Sequence, residues 1–508
     1  MRSPFFIYLS VFLGSLAISL DFASVDLALP SLERSYGLDL VQVQWVINGY
    51  VIAFAVLMVT GGRFADAYGR KRIFLIGMAI FGLASLIGGM SWSGGAVIAF
   101  RVLQGVGAAL LWPAMIGLAC VAVGEKNRGF ALGLVMGTCS IGNAAGPVVG
   151  GALTQWLSWR WVLWINVPMA ALAMLITFLA VPRDPPAASP PKNDYPGMAI
   201  LTVGLVALMV VAYQVESWGW SNGKTLGLLA LAIILLGAFP FVEHRVREAL
   251  VPPELMRNRE FLSLCISAMG ICQVFFIVLL YFTQYAMKFR GDTPMWAGAS
   301  VVPFMLSYGV VSYAGGPLYA RFGARRLLCW GLIATVLAGV LLAAGGMDGS
   351  GRIFNDSLIL LGLGVGATIP TISTRAIETV GVARASLASG VTFMCQLSGA
   401  ALLLAITTAF FTYGSQDALF NETVRGGLTL SPPQLDTVNT LLSGAKTLHT
   451  LTKHPDIYSS DVITAVTQAY QSGLQLALWV SASLVVIPFL LVLRYVPPLA
   501  PKTSIARQ

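Results

Sequence analysis

Long apolar runs alternate with short polar loops from one end of this chain to the other. They fall near residues 5–29, 44–62, 73–91, 96–121, 129–156 and 162–181, then near 197–215, 225–243, 261–287, 296–319, 326–347, 353–374, 386–412 and 472–496. A helix needs about 20 apolar residues to cross the hydrocarbon core of a bilayer. The pattern predicts an all-α polytopic membrane protein of fourteen spans. The first run is long, lacks an A-x-A cleavage site and carries Asp21 and Asp26, so it reads as a retained span rather than a signal peptide.

Two polar stretches break the rhythm. Residues 182–196 hold prolines at 182, 185, 186, 190, 191 and 196, a density that favours an extended linker over helix. Residues 413–471 turn at Ser431, Pro432 and Pro433, then show helical apolar spacing at Leu435, Val438, Leu441 and Leu442, and again at Val462, Val466, Ala469 and Tyr470. That segment reads either as a helical hairpin over the outer mouth or as a solvated loop. The chain thus divides into a six-span bundle at 1–181, the linker at 182–196, two inserted spans with a connector at 197–260, and spans nine to thirteen at 261–412. The outer segment at 413–471 and a last span with its tail at 472–508 complete it.

A short polar island at residues 62–72, G-R-F-A-D-A-Y-G-R-K-R, recurs in weaker form at 316–326 as G-P-L-Y-A-R-F-G-A-R-R. A loop repeated between membrane helices implies that the helices around it are repeated too. The acid Asp66 is missing from the copy, where Arg321 is read in its place.

Charge and composition sharpen this picture. Of the 508 residues 57% are hydrophobic and 10% charged, against about 25% charged in soluble proteins, so the charges cannot coat a water-facing surface. The net charge of +9 is scattered over short loops, which speaks for orientation and against nucleic acid. Of the 31 Lys and Arg residues, 21 fall on the side of the two termini and nine on the other, which predicts cytoplasmic termini. Trp45, Trp92, Trp156, Trp159, Trp161, Trp218, Trp220 and Trp296 gather at the outer span ends, as an interfacial belt or as cation–π partners for a drug. The six cysteines lie in apolar runs without C-x-x-C pairing, and three loop histidines offer no metal cluster. No G-x4-G-K-[ST] phosphate loop occurs, so ATP drive is not expected. Nor does anything resemble a nucleophilic triad, and no enzyme activity is expected.

Further motifs follow in order: I-A-F-R-V-L-Q-G-V-G-A-A at 98–109, G-x4-G-x3-G-P-x2-G-G at 137–151, W-R-W-V-L-W-I-N-V-P at 159–168, and L-D-F-A-S-V-D-L-A-L-P at 20–30. With residues 62–72 they resemble, in register, the major facilitator superfamily and its fourteen-span drug:proton antiporter branch. The resemblance implies the major facilitator fold, two six-helix bundles with two extra central spans, and alternating access around a midplane site. It implies a proton gradient as the drive, without a cofactor, in a bacterial cytoplasmic (inner) membrane.

Candidate residues follow. Asp21 and Asp26 are two acids in one membrane helix. A carboxyl group moved out of water binds a proton more readily, which proton coupling requires. Five residues apart, they stand about 140° apart around a helix and face different neighbours. Asp21 matches the family acid. Asp26 stands where the family usually has Asn, and Ala23 and Ser24 replace the usual Thr-Ile, so Asp26 is either a second proton or cation site or a structural carboxyl. Arg101, a guanidinium inside an apolar helix, must pair or face water; the family reading gives it proton coupling, and a structural pairing is the alternative. Asp66, Gly69 and Arg70 form an inner gate in the family reading, with Asp66 meeting a helix that begins near Ser386, or else anchor the topology. Gly142, Gly146 and Gly150, with Pro147, make a smooth, bendable face for close helix packing, which the family associates with export. Gln273, Phe276, Tyr281, Tyr308, Phe393 and Gln396, together with Asp21 and Asp26, are the candidate substrate lining. Glu378 reads as a residue at a span end.

The expected function is proton-coupled efflux of amphipathic, cationic drugs or toxic compounds. The alternatives are a dedicated exporter of a metabolite such as a siderophore or antibiotic and, more remotely, a non-transporting scaffold or sensor. Expected partners are a small-molecule substrate, protons and membrane lipid, with the outer segment open to a periplasmic adaptor and a monomer as the working unit.

Overall fold

The structure is a computed structural model and describes residues 4–38, 40–123, 128–182, 194–246, 249–288, 294–344, 351–425, 438 and 460–498. Among these the regular structure is helical throughout. In chain order the helices are α1 (Pro4–Tyr36), α2 (Leu40–Tyr68), α3 (Arg70–Gly89), α4 (Gly94–Val123), α5 (Arg128–Trp156), α6 (Arg160–Trp164) and α7 (Asn166–Ala180). Next come α8 (Tyr195–Trp218), α9 (Gly223–Glu243), α10 (Pro253–Arg257) and α11 (Arg259–Ile277), which runs through a π-turn at Val278–Phe282 into α12 (Thr283–Lys288). The rest are α13 (Pro294–Ala299), α14 (Val302–Ala344), α15 (Arg352–Val380), α16 (Ala385–Arg425) and α17 (Ser460–Tyr495).

Local chemistry sets the helix ends. Asn222 and Asn258 cap α9 and α11 by accepting the N–H groups of Lys224 and Phe261, satisfying donors that a helix start leaves orphaned. Inside the apolar spans, hydroxyls fold back onto their own helices: Ser19, Thr177, Thr335 and Thr368 donate to the carbonyl four residues earlier. Hydrocarbon offers them no other partner.

Thirteen helices among the described residues are long and apolar enough to cross a membrane, against the fourteen expected. The difference lies in α14, whose 43 residues would reach about 65 Å at 1.5 Å each, twice the hydrocarbon thickness. It breaks at Gly323, φ 75° and ψ 165°, so α14 is two spans joined by a one-residue turn. Gly69, between α2 and α3, has φ 101° and ψ 130°. The two polar islands share this left-handed turn at their eighth residue, where a side chain would be strained. The shared turn also corrects the register between them: Asp66 corresponds to Ala320, and Arg321 to Ala67.

Packing separates two groups of helices. In the first, α1 lies on α5, α7 and α4, while α3 lies on α4 and α7. In the second, α11 lies on α16 and α17, and α14 on α15 and α17. The groups meet along α2 with α16 and along α5 with the first arm of α14. The inserted α8 and α9 pair with each other, and α8 reaches α2 and α16. Helix α9 keeps only 17% of its apolar stretch buried, the signature of a helix facing lipid.

At the end opposite Gly69, Trp92, Trp156, Trp161, Trp220 and Trp296 are exposed. Trp159 departs from that belt: it is buried, edge-on to Tyr36 with the Arg160 guanidinium 4.6 Å from its ring. At the same end α16 and α17 overrun the bilayer as an antiparallel pair, with Phe411 against Tyr470 at 5.0 Å. Residues 413–425 thus continue α16, and Val462, Val466, Ala469 and Tyr470 form the buried face of α17. The expected turn at 431–433 and the run at 435–442, apart from a buried helical Val438, lie outside the described residues.

Candidate functional site

A buried charge cluster occupies the interior of the first group. The Arg101 Nη1 donates to Asp21 Oδ2 at 2.6 Å and to Gln104 Oε1 at 2.7 Å, and its Nε donates to the Val46 carbonyl at 3.2 Å. The other Asp21 oxygen accepts from Gln104 Nε2 at 2.9 Å and Asn166 Nδ2 at 2.7 Å. Gln104 also donates to Ser85 Oγ, and the guanidinium lies 4.3 Å from the centre of the Tyr50 ring. Five helices, α1 to α4 and α7, therefore converge on one ion pair that is 0% and 2% exposed. Breaking such a pair by removing one partner costs about 3–5 kcal/mol, since a bare charge is left behind. Gln104 and Asn166 lie within sequence motifs. Ser85 and Tyr50 carry no local signal, because a serine or tyrosine in an apolar run looks the same on any face.

Asp26 is placed differently. It is exposed, and no hydrogen bond or ion pair to it is present among the described residues. One turn before it on the same helix face, Phe22 meets Phe276 of the second group at 6.2 Å. Asp21 thus looks into its own group, and Asp26 shares the face that looks toward the other.

At the Gly69 end the two groups are tied together. Asp66 Oδ2 accepts the Leu387 N–H at 2.8 Å and Oδ1 the Ser386 N–H at 3.3 Å, at the first turn of α16. Arg70 Nη2 bonds Asp66 Oδ1 at 3.0 Å and reaches the Ala383 carbonyl at 3.4 Å. A carboxylate at a helix N-terminus is stabilised by about 0.3–1 kcal/mol when exposed and more when buried. Gly62 lies so close to Ser386 that a side chain there would collide with its backbone.

The α5 glycines serve two neighbours. Gly142, Gly146 and Gly150 press against Ser19, Ala23 and Ser24 of α1, within one group. The face toward the other group is built from Gly129, Gly133 and Gly137, against Gly316, Ser312 and Tyr313 of α14, with Pro147 against Gly298. Those three glycines have the same four-residue spacing but are set off by a five-residue step from Gly137 to Gly142, which fits their facing a different neighbour. Gly137 already opens the 137–151 motif, and the spacing is the cue to Gly129 and Gly133.

The other lining candidates divide by location. Phe276 faces Phe22, and Phe393 meets Trp112 of α4 edge-on at 4.5 Å, so both stand between the groups. Gln273 is fully buried within the second group and donates to Thr407 and Ser481. Tyr281 bonds Thr408, Tyr308 packs beside Phe275, and Gln396 stands beside Cys272, all on helices of that group.

Two helical groups related by a repeated turn, with an ion pair buried in one of them, define an integral membrane protein of the transporter kind. The chain belongs to the Major Facilitator Superfamily, whose family model matches residues 11–404. It is similar to the puromycin resistance protein pur8 of Streptomyces alboniger, 35% identical over 78% of this chain and 80% of that protein. The tetracenomycin C resistance and export protein of Streptomyces glaucescens is 32% identical over 74% of this chain and 71% of its own length. The multidrug resistance protein Stp of Mycobacterium tuberculosis is 32% identical over 75% and 70%. Among solved structures, the human organic anion transporter MFSD10 shares the fold at a TM-score of 0.62 and 13% identity, covering 97% of this chain and 99% of that one. The chain is therefore a small-molecule transporter and not an enzyme.

Proposed function

We propose that this protein exports amphipathic, cationic drugs or antibiotics across a bacterial cytoplasmic membrane in exchange for protons, working as a monomer. The observation that carries the reading is the division of labour between two acids on one helix. Asp21 is held by Arg101, Gln104 and Asn166, while Asp26 makes no hydrogen bond or ion pair among the described residues and shares the face of Phe22. An acid on the inter-group face attracts a cation, and an ion pair that protonation would break converts a proton into a change of helix packing.

In this scheme the Gly69 end and both termini face the cytoplasm. Helices α1–α7 and α11–α17 form two domains that rock about the central site, sliding on the Gly129, Gly133 and Gly137 face of α5. With the Asp66 contact to α16 closed, the site opens away from the cytoplasm. A proton arriving there neutralises Asp21, with or without a second proton on Asp26, and displaces the cation; loss of the Asp21 proton to the cytoplasm restores the Asp21–Arg101 pair. The overrun of α16 and α17 gives a periplasmic adaptor a surface to dock on.

The names of two relatives favour a second reading, a dedicated exporter of one antibiotic, and a panel of substrates separates the two. In everted vesicles, cationic dyes should release protons from the lumen. Asp21→Asn should abolish that release while leaving the protein folded, and Asp26→Asn should weaken cationic substrates selectively. Unchanged proton movement in Asp21→Asn would remove Asp21 from the mechanism.

A further inference from the structure

Two acids of the inserted helix pair take no part in this scheme. Asp194 and Glu243 are 2% and 0% exposed, unusual for carboxyl groups at helix ends beside loops. Asp194 precedes α8, and its Oδ1 caps that helix by accepting the Gly197 N–H at 2.9 Å. Glu243 ends α9, and its Oε2 accepts the Val251 N–H at 3.2 Å. One oxygen of each is left over: Asp194 Oδ2 and Glu243 Oε1 are buried without a hydrogen-bond partner. Both aim at one spot, because a Cβ built on Gly197 would lie closer than 3.0 Å to each.

Ionised carboxylates only accept hydrogen bonds, so two orphaned acceptor oxygens facing each other in a buried place repel. A single proton turns one of them into a donor and satisfies both. Among the described residues no cation is positioned to do so. The groups that face Glu243 are Asp194 from the start of α8 and the Leu250 and Val251 amides from the connector. Nearby charged and titratable groups are engaged elsewhere: His244 with the Pro240 carbonyl, Glu254 with Arg384, and Lys71 with the Phe178 and Val181 carbonyls.

We propose that Asp194 and Glu243 hold one shared proton, a protonation site separate from the Asp21 cluster. It sits where both covalent connections between the two groups arrive. The segment from α7 reaches α8 at Asp194, and the connector toward α11 is held to α9 through Val251. Loss of the proton leaves two like charges against each other and loosens the seat of α8 and of the connector at the Gly69 end. The site therefore makes the docking of the inserted pair depend on pH on that side of the membrane.

The test uses the full-length protein in lipid nanodiscs, followed by amide hydrogen exchange and infrared absorption over a pH series. In the wild type, the peptide covering 249–258 should lose protection, corrected for intrinsic exchange, by about tenfold per pH unit above the titration, as one linked proton requires. A protonated-carboxyl band should disappear in step. Glu243→Gln carries a permanent donor toward Asp194, so it should hold protection within about twofold across the series and lack the band's pH-dependent part. Asp194→Asn supplies the donor from the other side and serves if Glu243→Gln folds poorly. Equal pH responses in wild type and both variants would overturn the proposal. So would a wild-type transition that moves with sodium or potassium at fixed pH, since the site would then hold a metal cation. Neither outcome depends on whether Asp21 couples transport.

Discussion

The turns at Gly69 and Gly323 have the same backbone and opposite attachments. The first sends a carboxylate across to the other group, where Asp66 caps α16. The second is tied inside its own group: Tyr319 donates to Glu378 at 2.5 Å, and Arg375 joins Glu378 to Glu260. Its contact with the other group is backbone on backbone, Gly316 against Gly129 and Phe130. A duplicated loop has kept the property that only glycine supplies, the left-handed bend, and has let the side-chain chemistry diverge. One turn can therefore act as a latch between groups, and the other as a bearing.

That contrast can be broken in stages. Asp66→Asn should have the largest effect, since each charge-assisted hydrogen bond lost is worth about 1.5–3 kcal/mol, or about tenfold or more in the ratio of closed to open states. Spin labels at Tyr68 and Arg384, one on each side of the contact, should report a wider mean distance. Gly316→Leu comes next: its Cβ would meet the Phe130 nitrogen at 2.5 Å, and overpacking of this kind destabilises by about 1–3 kcal/mol, read as a lower thermal unfolding midpoint. Glu378→Gln keeps an acceptor for Tyr319 and loses only a half-exposed ion pair, so its effect on that midpoint should stay within about 1 kcal/mol. Arg321→Gln should be smallest, within about 0.5 kcal/mol, because Arg321 is exposed and lies over its neighbour Phe322. Equal shifts in label distance for Asp66→Asn and Arg321→Gln would end the distinction between latch and bearing.

The helices were legible because hydrophobic length is a local property, and α14 was legible as two spans because its polar island stands in the middle. Charged residues in apolar runs were equally visible, so Asp21, Asp26 and Arg101 stood out. What could not be read was rotation. Gln273 and Phe276 lie three residues apart on one helix, yet Gln273 is sealed inside its group and Phe276 faces across. Ser85 joins the ion-pair cluster and Trp159 leaves the interfacial belt for the same reason: which face a residue occupies is decided by helices far along the chain. The register of the weaker polar island was settled by a backbone angle at Gly323, which residue types around it obscured.

The ion pair at the heart of the first group also sets a timetable for biogenesis. Asp21 and Arg101 are separated by 80 residues, and Asn166 follows Asp21 by 145. At a synthesis rate of roughly 5–20 residues per second, α1 waits about 4–16 s for the guanidinium and about 7–29 s for the amide that completes the site. When α1 is synthesised, its strongest polar contact does not yet exist. The buried cluster is complete only when α7 arrives.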